Sequence, residues 1–307
     1  MKHSNTSINF YGYISAVTAT ILWSGNFIVA RSLIENIPPV SLAFWRWALA
    51  VAILFPFAIK PLIKDWPIIK NNIIYICITA LLGISLFNTL IYIASHTTTA
   101  INLSLIAITF PIFIIILSRI FYNELLSLNK WIGVFLVASG VVILTTKGEI
   151  SILKNIEFAQ GDLWMLLAAL TFAIYSLLLK KKPKNLGTRS FLLSTFLFGL
   201  IFLLPFYLWE SATSNFQIFS VDSNTLFSII YIGLFASLVS YVLWGKAVHT
   251  LGPTKSSMIY YTLPIFSGIA ANLFLGEKIG LIHLLSMFLI IAGILTAIYE
   301  KKYPKHQ

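Results

Sequence analysis

The chain has 307 residues, of which 58% are hydrophobic and 10% are charged. Soluble domains carry about 25% charged residues, so this composition excludes a soluble protein and predicts one that resides in a lipid bilayer. The net charge of +11 does not require a nucleic-acid partner, because the bases of a membrane protein gather in its cytoplasmic loops. We therefore expect the lipid bilayer, and no nucleic acid, among its partners.

Apolar runs of roughly 20 residues fill most of the chain, and each is long enough to cross about 30 Å of hydrocarbon as a helix. Their ends carry helix-breaking residues, such as Pro38-Pro39 before the second run and Gly252-Pro253 before the ninth. The sequence predicts an all-α integral membrane protein with ten transmembrane helices. The predicted spans are approximately 11–31, 39–60, 71–93, 98–121, 129–146, 161–180, 188–209, 224–248, 254–275 and 280–299.

The second half of the chain repeats the first. From Ala94 to Gly140 the matching residues lie a constant 153 positions apart, and nearer the start of each half they lie 149 apart. The matches include Gly12 with Gly161, His96 with His249, Pro111 with Pro264, Glu124 with Glu277 and Gly140 with Gly293. A repeat of this period predicts two homologous halves of five helices each, 1–150 and 151–307.

The positive charges predict the orientation. Counted over alternate loops, 16 of the 21 Lys and Arg residues fall on the side of the N-terminus and four on the other side. Basic loops stay in the cytoplasm, so we expect both termini on the cytoplasmic side of the cell's inner membrane. Since each half has an odd number of helices, the second half is expected to run inverted relative to the first.

Polar and aromatic side chains recur at helical spacing on five spans: the first, third, fourth, eighth and ninth. Polar groups are costly in hydrocarbon, so these faces are expected to line a central cavity, with the second, fifth, seventh and tenth spans as a lipid-facing rim. Bonding to a neighbouring helix, or anchoring at the interface, is the structural alternative for each. The candidate substrate-binding residues are Trp23, Asn26, Arg46, Asn88, Tyr92, Asn102, Tyr175, Tyr241, Trp244 and Tyr260.

Arg46 is the one unambiguous charge along the length of a predicted helix. Leaving it in lipid would cost roughly 3 kcal/mol. Three interpretations are open: the side chain snorkels outward, it bonds helix-terminal carbonyls of a neighbour, or it attracts a substrate carboxylate.

The repeated prolines and glutamates predict mechanical roles. Pro111 and Pro264 fall midway along predicted helices, where they permit a kink that acts either as a gating hinge or as a static bend. Glu124 and Glu277 follow those helices in turns, where a carboxylate can accept hydrogen bonds from the free amides of the next helix. We predict a hinge for the prolines and a structural role for the glutamates.

The stretches Leu22-Trp23-Ser24-Gly25-Asn26-Phe27 and Phe44-Trp45-Arg46-Trp47, with the repeated Pro-Glu-Gly pattern, resemble the EamA family of the drug/metabolite transporter superfamily. The resemblance implies ten helices in two inverted repeats, a cavity formed mainly by helices one, three, four, six, eight and nine, and the export of amino acids or other small metabolites. One departure is the sixth span, where Thr171-Phe172-Ala173 lacks the tryptophan of its mate in the first span.

The chain contains no G-x-S-x-G, P-loop or His-Glu metal motif, so we expect no enzyme activity, cofactor or metal. The sequence predicts a secondary transporter, an exporter, of a small neutral or zwitterionic metabolite such as an amino acid. Proton-coupled efflux of drugs or organic cations is the alternative, and an intramembrane hydrolase is a remote one. All ten acidic residues fall in loops or at helix ends, which favours transport without proton coupling. Both a monomer and a homodimer are compatible with the sequence.

Overall fold

A computed structural model describes residues 2–33, 37–98, 103, 106–107, 109–124, 127–154, 159–214, 222–275 and 280–298, and these residues are almost entirely helical. The helices are α1 (Lys2–Ser32), α2 (Pro39–Asn71), α3 (Ile73–Thr97), α4 (Thr109–Tyr122), α5 (Leu128–Thr145), α6 (Ile150–Lys154), α7 (Gln160–Lys180), α8 (Thr188–Ser214), α9 (Ser223–Leu251), α10 (Pro253–Tyr260), α11 (Leu263–Leu275) and α12 (Leu281–Ile298).

Within this described part, seven helices are long and apolar enough to cross a membrane, namely α2, α3, α5, α7, α8, α9 and α12. The shorter α4 is apolar as well. An all-α membrane fold is therefore confirmed. Several predicted boundaries differ from the structure: α1 begins at Lys2, α2 continues to Asn71, α8 continues to Ser214, and the predicted ninth span is divided into α10 and α11.

Local sequence explains several helix ends. Pro39 occupies the first turn of α2, where its missing N–H is no loss. Asp222 caps α9 by accepting a hydrogen bond from the amide of Thr225 at 3.0 Å, and its hydrogen bonds with Thr225 hold its pKa below the ordinary value. Gly252 ends α9 with φ +83°, a conformation that favours glycine and lets Pro253 begin a new helix at once.

Both α3 and α9 contain a π-helical segment, Leu81–Leu86 in one and Ile232–Val239 in the other. A π turn shifts hydrogen bonding to the fifth residue and leaves a backbone carbonyl available to other partners. Adding the repeat separation of 153 to the first segment gives 234–239, which falls inside the second. The two irregularities therefore occupy matching positions of the two halves.

Helices α5 and α12 pack through small residues. A Cβ added at Gly133 would lie 2.5 Å from the carbonyl oxygen of Gly293, and one at Gly140 would lie 2.9 Å from that of Ser286. Gly133 comes before Gly140 on α5, whereas its partner Gly293 comes after Ser286 on α12, so the two helices run antiparallel. At the repeat separation of 153, Gly133 matches Ser286 and Gly140 matches Gly293. The contact of Gly133 with Gly293 and the contact of Gly140 with Ser286 are therefore formed by equivalent positions.

Helices α2 and α8 also pack along each other and exchange carboxylate caps. Asp65, near the end of α2, accepts hydrogen bonds from the Gly187 amide at 3.0 Å and the Ser190 hydroxyl at 2.7 Å, at the start of α8. Glu210, near the end of α8, accepts from the amide and hydroxyl of Ser41 at the start of α2, at 2.6 and 2.8 Å. Carboxylates favour helix N-termini, so these acids fasten the two helices at both ends.

Candidate functional site

The centre of the molecule is a cluster of aromatic rings drawn from both halves. The Trp23 ring centroid lies 5.3–6.0 Å from those of Trp244, Phe172, Tyr241 and Tyr260. These five side chains are at most 6% exposed. Of the predicted residues, Trp23, Tyr241, Trp244 and Tyr260 are therefore brought together, and they contact one another in a closed arrangement.

The two indole groups of this cluster are anchored by hydrogen bonds. Trp23 Nε1 donates to the carbonyl of Ala236, in the π segment of α9, at 2.9 Å. Trp244 Nε1 donates to the Ser176 hydroxyl at 3.0 Å. Tyr175 packs its ring on the backbone of α3 at Gly83, where an added Cβ would lie 2.2 Å from the ring. Only glycine leaves room for that approach.

Arg46 lies beside this cluster and is fully buried. Its Nη1 donates to Asn88 Oδ1 at 2.8 Å and to the Tyr92 hydroxyl at 2.6 Å, and its Nε donates to the Ser237 hydroxyl at 2.7 Å. The side chain therefore neither snorkels to the surface nor bonds helix-terminal carbonyls, and both of those interpretations are wrong. The prediction of α2 as part of a lipid-facing rim is wrong at the same place, because its Arg46 and Trp47 point to the centre.

The hydrogen bonds continue from Arg46 in two fixed directions. Asn88 Nδ2 donates to the Tyr241 hydroxyl at 3.0 Å, and that hydroxyl donates to the Gly83 carbonyl in the π segment of α3 at 2.7 Å. The Tyr92 hydroxyl donates to Asn26 Oδ1 at 3.4 Å. Arginine only donates and a carbonyl only accepts, so the orientation of the Asn88 amide follows from its neighbours. The network thus joins Asn26, Asn88 and Tyr92 of the prediction.

Acidic side chains are absent from the described part of this network. The one ion pair among the described residues joins Lys180 Nζ to Glu124 Oε1 at 3.3 Å, far along the chain from Arg46. Each partner of Arg46 is a neutral amide or hydroxyl. The centre therefore carries a positive charge that the described side chains do not balance.

The two prolines predicted as hinges lie at the beginnings of helices in the described part of the chain. Pro264 occupies the first turn of α11, after a break at Tyr261 and Thr262, so it begins a helix where a kink within one had been predicted. Proline is favoured there because that amide has no helical partner. Pro111 lies in the first described turn of α4. Asn102 and Glu277 lie outside the described residues.

Glu124 has described partners on the second half of the chain. Its Oε2 accepts from the Thr254 hydroxyl at 2.7 Å, at the start of α10, and its Oε1 accepts from Lys180. The start of α5, which it had been expected to cap, is capped by Ser127. The described bonds of Glu124 therefore join the two halves at one end of the molecule.

Two residues of the centre, Trp47 and Phe172, were not predicted to line the cavity, and Ser237 was expected on the cavity face of its helix but not among the substrate-binding residues. Phe172 stacks on Phe87 at 4.0 Å and is the repeat mate of Trp23, at the 149-residue separation. Ser237 shares a helical face with the predicted Tyr241, and Trp47 follows Arg46 directly. The repeat relation pointed to Phe172 and the helical spacing pointed to Ser237, whereas neither signal pointed to Trp47.

A surface cavity of about 430 Å³ lies elsewhere, at the junction of α2 and α3, where Asn71, Tyr75 and Leu178 are among the lining residues. None of the predicted substrate-binding residues lines it. Its position at a helix junction separates it from the central network.

A helical membrane fold around a buried network of aromatic rings and polar groups is typical of membrane transporters. The comparison with known proteins specifies the class further. The profile of the EamA-like transporter family matches residues 10–146 and 159–299, and the chain belongs to that family. The resemblance seen in the sequence is confirmed.

Relatives of similar length carry the same general description. The uncharacterized transporter YyaM of Bacillus subtilis is 26% identical over 307 residues, covering 100% of this chain and 97% of its own. An uncharacterized transporter of Archaeoglobus fulgidus is 26% identical over 295 residues, covering 94% and 96% of the two chains. A crystal structure of a chain 17% identical superposes with a TM-score of 0.72 over 95% of this chain and 96% of that one, a likeness of fold.

Proposed function

We propose that the protein is a secondary transporter that exports a small neutral or zwitterionic metabolite, such as an amino acid, by alternating access. The observation that carries the proposal is the central network, to which both halves contribute. Arg46 and Asn88 come from the first half, and Ser237 and Tyr241 come from the second. A substrate bound there touches both halves, so a movement of one half against the other changes which side it faces.

The architecture we propose is two inverted five-helix repeats, 1–150 and 151–307, with ten transmembrane helices. Matching π segments in α3 and α9 support the repeat. The antiparallel packing of α5 against its mate α12 supports the inversion, because two parallel repeats would not place mates head to tail in this way. The family profile matches two stretches of nearly equal length, which supports it further.

Contacts between the halves close both ends of the central network. At one end Glu124 binds Thr254 and Lys180. At the other end the hydroxyl of Thr98, after α3, donates to Asp162, at the start of α7. Alternating access requires these two sets of contacts to open in turn. Pro111 and Pro264, in first turns close to the centre, are the hinges that we propose for the movement.

Export of an organic cation is the second candidate, and the charge of the centre disfavours it. A cationic drug needs a carboxylate or a free aromatic face, whereas the described centre offers a buried guanidinium that repels it. We propose a cytoplasmic (inner) membrane location with both termini in the cytoplasm, on the distribution of Lys and Arg.

Metabolite profiling of the growth medium tests the proposed function. Cells that express the protein should accumulate one small metabolite, or a few related ones, in the medium, relative to cells without the gene. Cells that express an Asn88→Ala variant at the same level serve as the control, because that change breaks the central network without changing the rest of the chain. Identical media from all three strains would contradict export.

A further inference from the structure

Two buried hydrogen-bond donors at the centre have no acceptor among the described residues. They are Nη2 of Arg46 and Nε1 of Trp47, on neighbouring residues of α2. Both side chains are 0% exposed, and the guanidinium carbon lies 5.3 Å from the centroid of the Trp47 ring. Buried donors nearly always have a partner, so two unpaired donors in one place mark a position for a missing acceptor.

The same place has a positive charge in need of an anion. Arg46 bonds Ser237, Asn88 and Tyr92, which are all neutral. Of the described charged side chains, the only buried one besides Arg46 is Asp162, whose carboxylate accepts bonds from Thr98 and Ala159 at the start of α7. Burial of an uncompensated charge is unfavourable, so an anion that reaches Arg46 is bound strongly.

We infer that the substrate is a monocarboxylate, whose carboxylate oxygens accept from Arg46 Nη2 and Trp47 Nε1. The inference rests on the proposed transporter function and changes its substrate class: it keeps zwitterionic amino acids, adds monocarboxylate anions and excludes neutral solutes that have no carboxylate. A carboxylate has two acceptor oxygens for the two unpaired donors. One guanidinium balances one negative charge, so a dicarboxylate or a phosphate dianion would leave a second negative charge buried without a partner.

The rest of the substrate meets the aromatic cluster around Trp23. No described carboxylate stands in the centre to bind an ammonium group, so the substrate is recognised at its acid end and its amino group is optional. Amino acids and their deaminated counterparts therefore both satisfy the site. Amino amides and amines do not.

A matched series of four probes with one phenyl body tests this on the wild-type, full-length protein in lipid nanodiscs. The probes are phenylalanine, hydrocinnamate, phenylalaninamide and phenethylamine, and their binding is measured by calorimetry. The two acids should bind with similar affinity, and the amide and amine should bind about tenfold or more weakly, as loss of a charge-assisted bond requires. Equal affinity for the amide or the amine overturns the inference. If neither acid binds, alanine, leucine and their deaminated counterparts are tested as smaller acids, and absence of binding by these as well overturns the inference.

An internal carboxylate provides a second measurement. Asn88→Asp is nearly isosteric and places a charged oxygen where Asn88 Oδ1 now lies, 2.8 Å from Arg46 Nη1. This variant should bind the acids about tenfold or more weakly and should melt at a higher temperature than the wild type. Phe135→Ala, on a side chain that is 71% exposed on α5, should change neither. Wild-type affinity for the acids in folded Asn88→Asp protein overturns the inference, and the probe series decides if the variant does not fold.

Transport measured alongside separates this inference from the function on which it rests. If reconstituted protein carries a solute that lacks a carboxylate, the inference is overturned and the transporter function stands. If it carries no solute at all, the proposed function itself fails.

Discussion

The side-chain amide of Asn88 donates a hydrogen bond to the hydroxyl of Tyr241 at 3.0 Å, and these two residues lie 153 positions apart, the separation of the repeat that we propose. In the proposed arrangement, two mates bond each other directly where the axis that relates the halves passes close to both. The bond therefore lies at the centre of the proposed pseudo-symmetry. Arg46 binds the same amide, which places the buried charge beside the axis as well.

Removing the hydroxyl of Tyr241 should damage both stability and transport. In Tyr241→Phe the Asn88 amide and the Gly83 carbonyl each lose a partner in a buried setting, at a cost of about 1–3 kcal/mol. We expect a lower melting temperature in detergent, and transport reduced or altered in specificity. A thermal melt and an export assay on the same preparation check both effects.

The matched control is Tyr207→Phe. Tyr207 stacks on Phe44 at 4.2 Å, away from the central network, so losing its hydroxyl should leave export unchanged. If Tyr241→Phe exports as the wild type does, the hydroxyl network does not contribute to the substrate site.

Two glycine-to-alanine changes, one inside the contact between α5 and α12 and one in open space on α9, should have opposite effects on stability. Gly133→Ala places a methyl group 2.5 Å from the backbone oxygen of Gly293, so the helices must separate, at a cost of about 1–3 kcal/mol. Gly245→Ala meets nothing within 4 Å, and alanine favours a helix over glycine by about 1 kcal/mol. Melting temperatures should fall for the first and hold or rise for the second. A melt of Gly133→Ala equal to the wild type would show that this interface is not close-packed.

The all-α membrane fold and the family could be predicted from sequence, because apolar runs and short motifs can be read without knowing how the helices pack. The partners of Arg46 could not. Its hydrogen-bond partners lie 42, 46 and 191 residues away in sequence. Helical spacing shows which residues share a face of one helix but not which helix faces pack together. The sequence showed that the Arg46 charge would be unfavourable in hydrocarbon. Which side chains stabilise it depends on the packing of α2 against α3 and α9, which the sequence does not show.

The break before Pro264 illustrates a different gap. A proline midway along an apolar run is compatible with a kink or with two helices, and the sequence alone does not separate them. Phe172 could have been predicted at the centre but was not. Its repeat relation to Trp23 placed it at the centre, but the change from indole to phenyl had been treated as a departure from the site.

The distribution of basic residues predicts which ends of α8 face the cytoplasm. Lys184, before α8, should lie inside the cell, and Asn224, after it, should lie outside. After replacement of Cys77, the one native cysteine, single cysteines at these exposed positions are tested in intact cells with a membrane-impermeant maleimide. Only the cysteine at 224 should react before the cells are opened. Labelling of both positions from the same face would show that α8 does not cross.

The described acidic residues predict transport without proton coupling. Five of them, Asp65, Glu124, Asp162, Glu210 and Asp222, bind groups at helix starts, so none is placed to carry a proton through the centre. In liposomes with equal substrate on both sides, an imposed pH gradient alone should produce no accumulation. Sustained accumulation that a protonophore abolishes would reveal a proton site.

Counterflow tests most directly the claim that the two halves alternate around one central site. Proteoliposomes are loaded with an unlabelled mixture of amino acids and diluted into a trace of the same mixture in radiolabelled form. A carrier that returns loaded from each side should concentrate label inside transiently above its equilibrium level, and Asn88→Ala protein, reconstituted at the same density, should not. Label that rises only to equilibrium, or enters both preparations alike, would contradict alternating access through this site.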